Sequence, residues 1–433
     1  MQPHELRDAF GLNDDLPPVR VEGDSWIVPF PKAGITFEVS GIEYGRSETH
    51  CQLRVTSTIP GTPAHVHSGR FNLSSLSARG TTAKYLDARC PADWPELLEK
   101  LCLVVLDKVR EGNPPVRLTD VPPRETSRFR LDPVLREGYP NGMFADGGSG
   151  KSTLAAFFAL LVQGGWQYCG LTPVPGQVLV CDWELDEFTY REIGEKLCRG
   201  MGVELIPLHY QQCVAPLAEE AASIGRYAAR ENIDLIIVDS AGFAIGGDKQ
   251  SQELTMRLFS AIRGWRKSDG SQITTLIIDH VTNDEKTRDR PFGSAYWRNS
   301  MRNLWRVQAK QEDGSKELEV GLFQTKANFG KQSPLGFVLN FDDDAIYIDR
   351  RDVRDMSLEI RKGLTARAQL KTLLAEHGGG GLTLDTIVEK TGLDRKTAST
   401  RLGELVKRGE ALVLHTPGGA RQWWLRSNRE DAG

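Results

Sequence analysis

The residues of this sequence best suited to chemistry form a glycine-rich segment that precedes an apolar, helix-forming run. Residues 145–153 read Ala-Asp-Gly-Gly-Ser-Gly-Lys-Ser-Thr, which matches GxxxxGK[ST] with an alanine in the first glycine position. Glycines at such a turn let backbone N–H groups converge on phosphate oxygens at a helix N-terminus, where the helix dipole also favours an anion. The segment therefore predicts a loop that binds the phosphates of a nucleotide.

The residue types within the loop predict how ATP and Mg²⁺ would be held. Lys151 would reach the β- and γ-phosphates, and the hydroxyl of Ser152 would coordinate Mg²⁺. The other predicted phosphate-binding residues are Asp146, Gly147, Gly148, Ser149, Gly150 and Thr153. The preceding residues 139–144 contain a proline and a glycine, so they predict only a weak strand.

Asp239 is predicted to be the acid of the metal site. It ends the apolar run Ile233–Asp239, and such near-continuous runs are typical of strands buried on both faces of a parallel sheet. An acid at that place would hold Mg²⁺ through water or together with Ser152. Many buried strands end in an exposed Asp, so the assignment depends on the loop at 145–153.

Two further polar residues follow apolar runs of the same kind. Glu184 comes after the run 177–182 and would take the proton of the attacking water as a general base, with Asp182 as the reserve candidate. His280 comes after the run 275–279 and would sense the γ-phosphate through a hydrogen bond. The alternatives are a solvated loop acid at Glu184 and a structural histidine at His280.

Between about residues 130 and 350, apolar runs alternate with helical patterns at Glu187–Met201 and 252–267. This alternation indicates β-α units and an α/β fold with a parallel sheet. Residues 1–120 indicate a separate α+β domain with short alternating strands and a helix at 94–109, and the proline-rich residues 121–134 read as a linker. His65 and His67 are more simply part of a strand or loop than metal ligands.

Residues 361–429 predict a separate basic module. Helices are predicted over 365–377, from 383 or 384 to 391, and over 395–409, with strands at Ala411–His415 and 422–426. The module has 13 Lys and Arg against 6 Asp and Glu, a net charge of +7, whereas the whole chain carries −4. An acidic body with a basic terminal module indicates contact with nucleic acid.

The central region resembles the RecA-fold ATPases of the plasmid-replication helicase RepA type. The resemblance rests on Lys151, Glu184, Asp239 and His280, on GGWQYCGLTPVPGQVLVCDWE after the loop, on GSAYWRNSMRNLWRV (residues 293–307) and on TKANFGKQSPLGF (residues 325–337). It implies a RecA-like core, a catalytic carboxylate at Glu184 and a histidine at 280 that couples the nucleotide to DNA-facing loops. It also implies helicase-like work on DNA in a homo-oligomeric ring.

In such rings a neighbouring subunit supplies cations to the phosphates. The related replicative helicases carry a K-x-R pair, and this sequence has Lys326-Ala327-Asn328 at that place. Lys326 fits the pattern, whereas Asn328 replaces the arginine. Arg298 and Arg302 are therefore alternative candidates, because an arginine acting in trans stabilises transition-state charge.

The segment 281–293 follows the predicted histidine strand and carries Lys286, Arg288 and Arg290. In a ring it would line a central channel and contact the backbone of single-stranded DNA. Three acidic residues in the same segment dilute its charge, so a solvated loop is an equal alternative.

The C-terminal pattern resembles a winged helix-turn-helix domain. In such folds the third helix enters the major groove of duplex DNA by its N-terminal residues. The DNA-contacting residues implied here are Arg395, Lys396, Thr397, Ser399, Thr400 and Arg401, with Arg421 in the wing. Winged helices also serve as protein-docking or oligomerisation modules, and the net charge favours DNA.

The overall composition agrees with a globular protein of several domains. The 433 residues are 39% hydrophobic and 26% charged, which excludes a disordered or fibrous chain. No apolar run is long enough to cross a membrane, and the first residues lack the pattern of a secretory signal. The 7 cysteines are odd in number and form no CxxC pair, so we expect a reducing cytoplasm rather than disulfides or a zinc module.

The sequence thus predicts an N-terminal α+β domain (1–120), a linker (121–134), a RecA-like P-loop ATPase core (135–350) and a winged helix (361–429). The predicted function is Mg²⁺-dependent ATP hydrolysis coupled to work on DNA by a helicase-like or replication-associated motor. Two alternatives stay open. One is an ATP-switched DNA-binding regulator or replication initiator that does not translocate, and the other is a recombinase-like ATPase.

Overall fold

The computed structural model describes residues 16–22, 25–45, 48–112, 115–123, 129–281, 291, 293, 295–328, 330–377, 381–415 and 421–426. The chain divides into two compact units. The first comprises Met1–Thr126, Glu219–Ile233 and Arg263–Gln272, and the second comprises Ser127–Ala218, Asp234–Ile262 and Ile273–Gly433. Within the described residues no helix is long and apolar enough to span a membrane.

The described part of the first unit contains an antiparallel sheet of five strands in chain order. The strands are β1 (Arg20–Glu22), β2 (Ser25–Phe30), β3 (Ile35–Tyr44), β4 (Thr49–Ser57) and β5 (His65–Asn72). Helices α1 (Leu76–Asp87) and α2 (Trp94–Glu111) follow. The helix predicted at 94–109 is confirmed as α2, which begins where the Asp93 side chain accepts from the Glu96 N–H. Only Ala83 and Leu86 of α1 are buried, which explains why its sequence shows no clear apolar stripe.

A nine-stranded mixed sheet forms the centre of the described second unit, with strand order β11-β10-β12-β13-β8-β14-β15-β16-β17. The strands of this region, in chain order, are β6 (Phe129–Asp132), β7 (Leu135–Arg136), β8 (Pro140–Ala145), β9 (Thr172–Pro173), β10 (Gln177–Asp182), β11 (His209–Gln212), β12 (Ile233–Asp239), β13 (Thr274–His280), β14 (Asn303–Gln311), β15 (Glu317–Ala327), β16 (Leu335–Phe341) and β17 (Ile346–Arg351). Strands β10 and β11 pair in parallel, as do β12 with β13, β13 with β8, and β8 with β14. Strands β15, β16 and β17 continue the sheet with antiparallel pairs.

The helices along the chain between β8 and the C-terminal module are α3 (Lys151–Gly164), α4 (Glu187–Met201), α5 (Leu217–Arg230), α6 (Ala241–Ala244), α7 (Gln252–Gly264), α8 (Ala295–Ser300) and α9 (Leu358–Arg361). Helix α3 is buried along most of its length and packs in the main apolar core with residues of β8, β10, β12 and β13. A parallel sheet with buried crossover helices confirms the predicted α/β class of this region. The antiparallel extension of the sheet was not predicted.

The sequence before the glycine-rich loop predicts only a weak strand, but the structure contains a regular and fully buried strand there. All six residues of β8 are buried between β13 and β14. Pro140 is the first residue of the strand, where a missing N–H is tolerated. A Cβ on Gly142 would lie 2.7 Å from the Cδ1 atom of Leu304, so this glycine permits close packing of side chains against the strand.

The range predicted as a linker, 121–134, is partly regular structure. Phe129–Asp132 form β6, which pairs with β7 and β9 in a small sheet. Arg130 of this strand is buried and forms ion pairs with Glu137 at 2.7 Å and Asp234 at 3.1 Å. The ion pair of Arg130 with Asp234 of β12 anchors this segment to the central sheet. The proline content of the segment does not indicate this long-range contact.

The C-terminal module contains α10 (Ala366–Glu376), α11 (Leu384–Thr391) and α12 (Arg395–Lys407), with β18 (Leu382–Thr383), β19 (Ala411–His415) and β20 (Arg421–Leu425). Side-chain oxygens of Thr365, Thr383 and Asp394 cap the three helices at their N-termini. The described strands form one sheet in the order β18-β20-β19. The predicted helix and strand positions in this module are confirmed to within about two residues, because caps and apolar spacing are local signals.

Candidate active site

The glycine-rich loop lies between β8 and α3, at the carboxyl edge of the parallel strands. Gly148 and Gly150 have φ angles of 69° and 75°, a left-handed conformation that glycine adopts without strain. A Cβ on Gly150 would lie 3.0 Å from Leu318 Cδ2, whereas one on Gly148 would meet nothing within 4 Å. The loop is therefore packed on one side and open on the other, where the N-terminus of α3 favours an anion.

Lys151 is the first residue of α3, and its side chain turns back over the loop. Its Nζ donates hydrogen bonds to the backbone oxygens of Asp146 at 2.6 Å and Ala145 at 3.2 Å. Burial lowers the pKa of this ammonium, and the nearby carboxylates of Asp239 and Glu184 oppose that shift. Asp146 therefore acts through its backbone oxygen, which accepts a hydrogen bond from Lys151. The ammonium group is held at the centre of the loop.

Asp239 and Ser152 form the predicted metal site. The carboxylate of Asp239 is hydrogen-bonded to Ser152, and burial raises the pKa of Asp239 to about 7, with Asp182 and Glu184 adding to the shift. A buried acid of this kind is stabilised in its charged form by a bound cation. Mg²⁺ usually keeps several waters and takes one or two protein ligands beside substrate phosphates, so this pair fits it. In the described part of the chain, no group of three or more His, Cys, Asp and Glu could hold a metal by itself.

Glu184 lies on the rim of the loop cavity between two polar side chains. Its Oε1 accepts a hydrogen bond from the Ser240 hydroxyl, and His280 Nε2 lies 3.5 Å from the same oxygen. The side chain of Glu184 is 31% exposed, so a water molecule can reach it. Sequence reasoning missed Ser240, although its position directly after Asp239 was a signal that could have indicated it.

Asp182, the reserve candidate for the general base, has a different role. It is fully buried, and its Oδ1 accepts hydrogen bonds from the backbone N–H groups of Glu184 at 2.8 Å and Leu185 at 2.9 Å. Burial raises its pKa. Asp182 therefore shapes the turn that presents Glu184, which favours Glu184 as the residue that meets water.

One cavity of about 390 Å³ brings most of the predicted site residues together. It is lined by residues 147–153 of the loop, by Glu184, Asp239 and His280, and by Gln311, Leu318 and Phe341. The last three were not predicted. They lie near the ends of β14, β15 and β16, far along the chain from the loop, and no local pattern marks them.

The candidate trans-acting cations lie away from this cavity. Lys326 is eight residues beyond Leu318 on β15, about 27 Å along the strand at 3.4 Å per residue. Its Nζ donates to the backbone oxygens of Arg298 at 2.9 Å and Asn299 at 3.0 Å, and burial together with Arg302 and Arg298 lowers its pKa. Lys326, Arg298 and Arg302 therefore lie together at the strand ends opposite to the loop, too far away to contact phosphates bound by the loop of the same chain.

The predicted DNA-contacting residues lie mostly on the exposed side of α12. Lys396, Ser399 and Thr400 are exposed, whereas Thr397 is half-buried. The two arginines of the helix are engaged locally, and their ion pairs are Arg395 with Asp385 and Arg401 with Glu404. Arg421 is exposed on β20, where it is the strand partner of His415. Lys286, Arg288 and Arg290 of the predicted channel loop lie outside the described residues.

Of the comparisons with known proteins, the match to a family model agrees with a nucleotide site in this region. No curated protein matches the sequence. Among solved structures, a KaiC-like protein from the archaeon Pyrococcus horikoshii OT3 is similar with a TM-score of 0.35 and 14% identity, over 51% of this chain and 93% of that chain, a likeness too small to carry an inference. Residues 114–286 match the family model described as AAA domain. This range contains the loop, Glu184, Asp239 and His280, and the match supports a P-loop ATPase.

Proposed function

We propose that this protein hydrolyses ATP in an Mg²⁺-dependent reaction and couples it to work on DNA, as a helicase-like or replication-associated motor of the RepA type. The observation that carries the proposal is the placement of Glu184. Its carboxylate is on the rim of the loop cavity, beside Ser240 and His280, with the Asp239–Ser152 pair lining the same cavity. A base, a cation and a metal site on one phosphate loop suit hydrolysis better than binding alone.

In this proposal each residue acts on the triphosphate or on the attacking water. The loop N–H groups and Lys151 hold the phosphates, and Glu184 accepts the proton of the water. Mg²⁺ bound beside Ser152 and Asp239 would neutralise phosphate charge. His280, 3.5 Å from Glu184, would change its contact when Glu184 moves, and so transmit the state of the nucleotide to the chain that follows β13.

The proposal places DNA on the C-terminal module, which resembles a winged helix. The buried face of α12 carries Ala398, Leu402 and Leu405, so the opposite face with Lys396 and Thr400 is turned to solvent. A helix that buries one face in a small core and exposes basic and hydroxyl groups on the other suits the major groove of duplex DNA.

The proposal also includes a homo-oligomeric ring. In the described residues of one chain, the cations of the loop cavity are limited to Lys151 and, when protonated, His280. An arginine or lysine supplied by a neighbour would stabilise transition-state charge. The cluster of Lys326, Arg298 and Arg302, at the strand ends opposite to the loop, would supply it in a head-to-tail assembly, which forms a ring when the rotation between subunits closes.

The test is the rate of ATP hydrolysis with and without single-stranded and duplex DNA, for the wild type and for Glu184→Gln. We expect DNA to raise the wild-type rate and Glu184→Gln to abolish turnover. Glu187→Gln, which changes an exposed acid on α4, is the matched control and should behave as the wild type. Normal hydrolysis by Glu184→Gln would exclude it as the base. Slow turnover that no DNA alters, with binding to one duplex sequence, would instead favour an ATP-switched regulator.

A further inference from the structure

One wall of the loop cavity has no part in phosphate chemistry. It consists of Gln311, the last residue of β14, of Leu318 in β15 and of Phe341, the last residue of β16. Gln311 and Leu318 are direct strand partners, and Leu318 packs against the position of Gly150 in the loop. The wall is therefore built on the sheet and is continuous with the phosphate loop.

The two sides of the cavity differ in chemical character. The loop side carries Lys151, the hydroxyls and the acids, whereas the wall formed by Gln311, Leu318 and Phe341 offers an amide, an aliphatic side chain and an aromatic ring. A nucleoside triphosphate has the same division between a charged chain of phosphates and a flat heterocyclic base. Aromatic side chains stack on such bases, and a neutral wall does not repel them.

The orientation of the Gln311 amide narrows the choice of base. Its Nε2 donates a hydrogen bond to the backbone oxygen of Ser315 at 2.7 Å. A carbonyl oxygen only accepts, so the nitrogen must face Ser315, and this leaves Oε1 as the acceptor of the amide. The 6-amino group of adenine or the 4-amino group of cytosine would donate to Oε1, whereas the carbonyl oxygen that guanine or uracil carries at the same position would meet another lone pair.

We propose that Phe341 and Gln311 form the nucleobase subsite of this cavity and select bases with an amino group at the C6 position of adenine or the C4 position of cytosine. The base lies against the ring of Phe341, and its exocyclic amine donates to Gln311 Oε1. Adenine and cytosine nucleotides are then preferred over guanine and uracil nucleotides. The inference rests on the proposed function, because it takes the loop to bind a nucleoside triphosphate.

The test is competition binding in Mg²⁺ with ATP, CTP, GTP, UTP and inorganic tripolyphosphate. We expect the wild type to bind ATP and CTP several-fold more tightly than GTP and UTP. Phe341→Ala should weaken the binding of all four nucleotides by roughly fivefold or more, since stacking of a base on an aromatic ring is worth at least about that factor. Gln311→Ala should remove the preference among bases. Tyr347→Ala, which removes a half-exposed ring on β17 outside the cavity lining, is the control.

Tripolyphosphate separates a base contact from a structural effect. It has no base, so Phe341→Ala and Gln311→Ala should bind it as the wild type does. The inference would be overturned if the wild type bound all four nucleotides equally well, or if Gln311→Ala kept the preference among bases. It would also be overturned if Phe341→Ala bound nucleotides as tightly as the wild type, or if either variant lost affinity for tripolyphosphate to the same extent as for nucleotides. A wild type that binds no triphosphate at all would overturn the proposed function together with it.

Discussion

The hydroxyl of Ser240 donates a hydrogen bond to Glu184, a residue 56 positions earlier in the chain. Ser240 follows Asp239, the acid of the proposed metal site, so one short segment would both hold the metal and orient the candidate base. His280 approaches the same carboxylate oxygen from β13. Residues at the ends of the neighbouring strands β10, β12 and β13 thus meet at the carboxylate of Glu184.

Ser240→Ala is expected to lower kcat about tenfold and leave the affinity for ATP nearly unchanged. The variant removes the donor that orients Glu184 but none of the phosphate-binding groups, and a misplaced base slows the chemical step without weakening binding. Steady-state kinetics with separate kcat and KM values check this. Ser223→Ala, on α5 outside the site, is the control, and a change confined to KM would contradict the prediction.

The contribution of Asp239 to the stability of the protein without nucleotide is expected to fall as pH rises from about 4 to about 7. Burial raises the folded-state pKa of Asp239 to about 7, whereas an unfolded aspartate titrates near 4. The folded state therefore binds more protons than the unfolded state in this window, and stability is lost as that proton leaves. Asp239→Asn should then be the more stable protein at pH 8 by a few kcal/mol, with little difference at pH 4.

Urea denaturation at several pH values measures this effect. Mg²⁺ with ATP should raise the midpoint of the wild type and leave that of Asp239→Asn nearly unchanged, because ligand binding stabilises only the state that binds it. Asp269→Asn is a surface control, since hydrogen bonds from Ser271 lower the pKa of Asp269. It should show no gain at pH 8, and a difference in stability between Asp239→Asn and the wild type that stays constant from pH 4 to 8 would exclude the assignment.

Lys326→Ala is expected to lose at least a hundredfold in ATP turnover if Lys326 acts in trans, given the size of such effects. Because Lys326 lies at the other edge of the sheet from Lys151, its partner must be the loop of a neighbour. A mixture of Lys326→Ala with Glu184→Gln should regain activity, since some interfaces then join an intact base to an intact lysine.

The same mixing experiment with Arg298→Ala and Arg302→Ala decides among the three candidate cations. The variant that restores activity identifies the finger. Thermal denaturation of each variant is needed alongside, because Lys326 also holds the C-terminal carbonyls of α8. If none of the mixtures regains turnover while all variants remain folded, the trans assignment fails for all three residues.

Lys396→Ala is expected to weaken binding to duplex DNA and to reduce the dependence of the affinity on salt by about one phosphate contact. Lys396 is exposed on α12. Arg395 and Arg401 are paired with acids, so their replacement should cost less affinity. Titrations at several salt concentrations check this, with the exposed Lys84 of α1 as the control position. Unaltered affinity in Lys396→Ala would favour a protein-docking module.

Local patterns in the sequence determined much of this protein. The phosphate loop, the apolar runs that end at Asp182, Asp239 and Asp279, and the capped helices of the C-terminal module all follow from residue types at short spacing. Backbone geometry, periodicity and capping depend on neighbours within a few residues, so a single sequence contains enough to predict them. The α/β class followed from the same signals.

Only the tertiary structure decided which residues share a site. It joined Ser240 to Glu184, buried Asp182 beneath the turn that carries Glu184, and placed Phe341 in the lining of the loop cavity. It also separated Lys326 from Lys151 by the length of a strand. These relations depend on which strands pair and in what register, and strand pairing is set by long-range packing of side chains rather than by any local pattern.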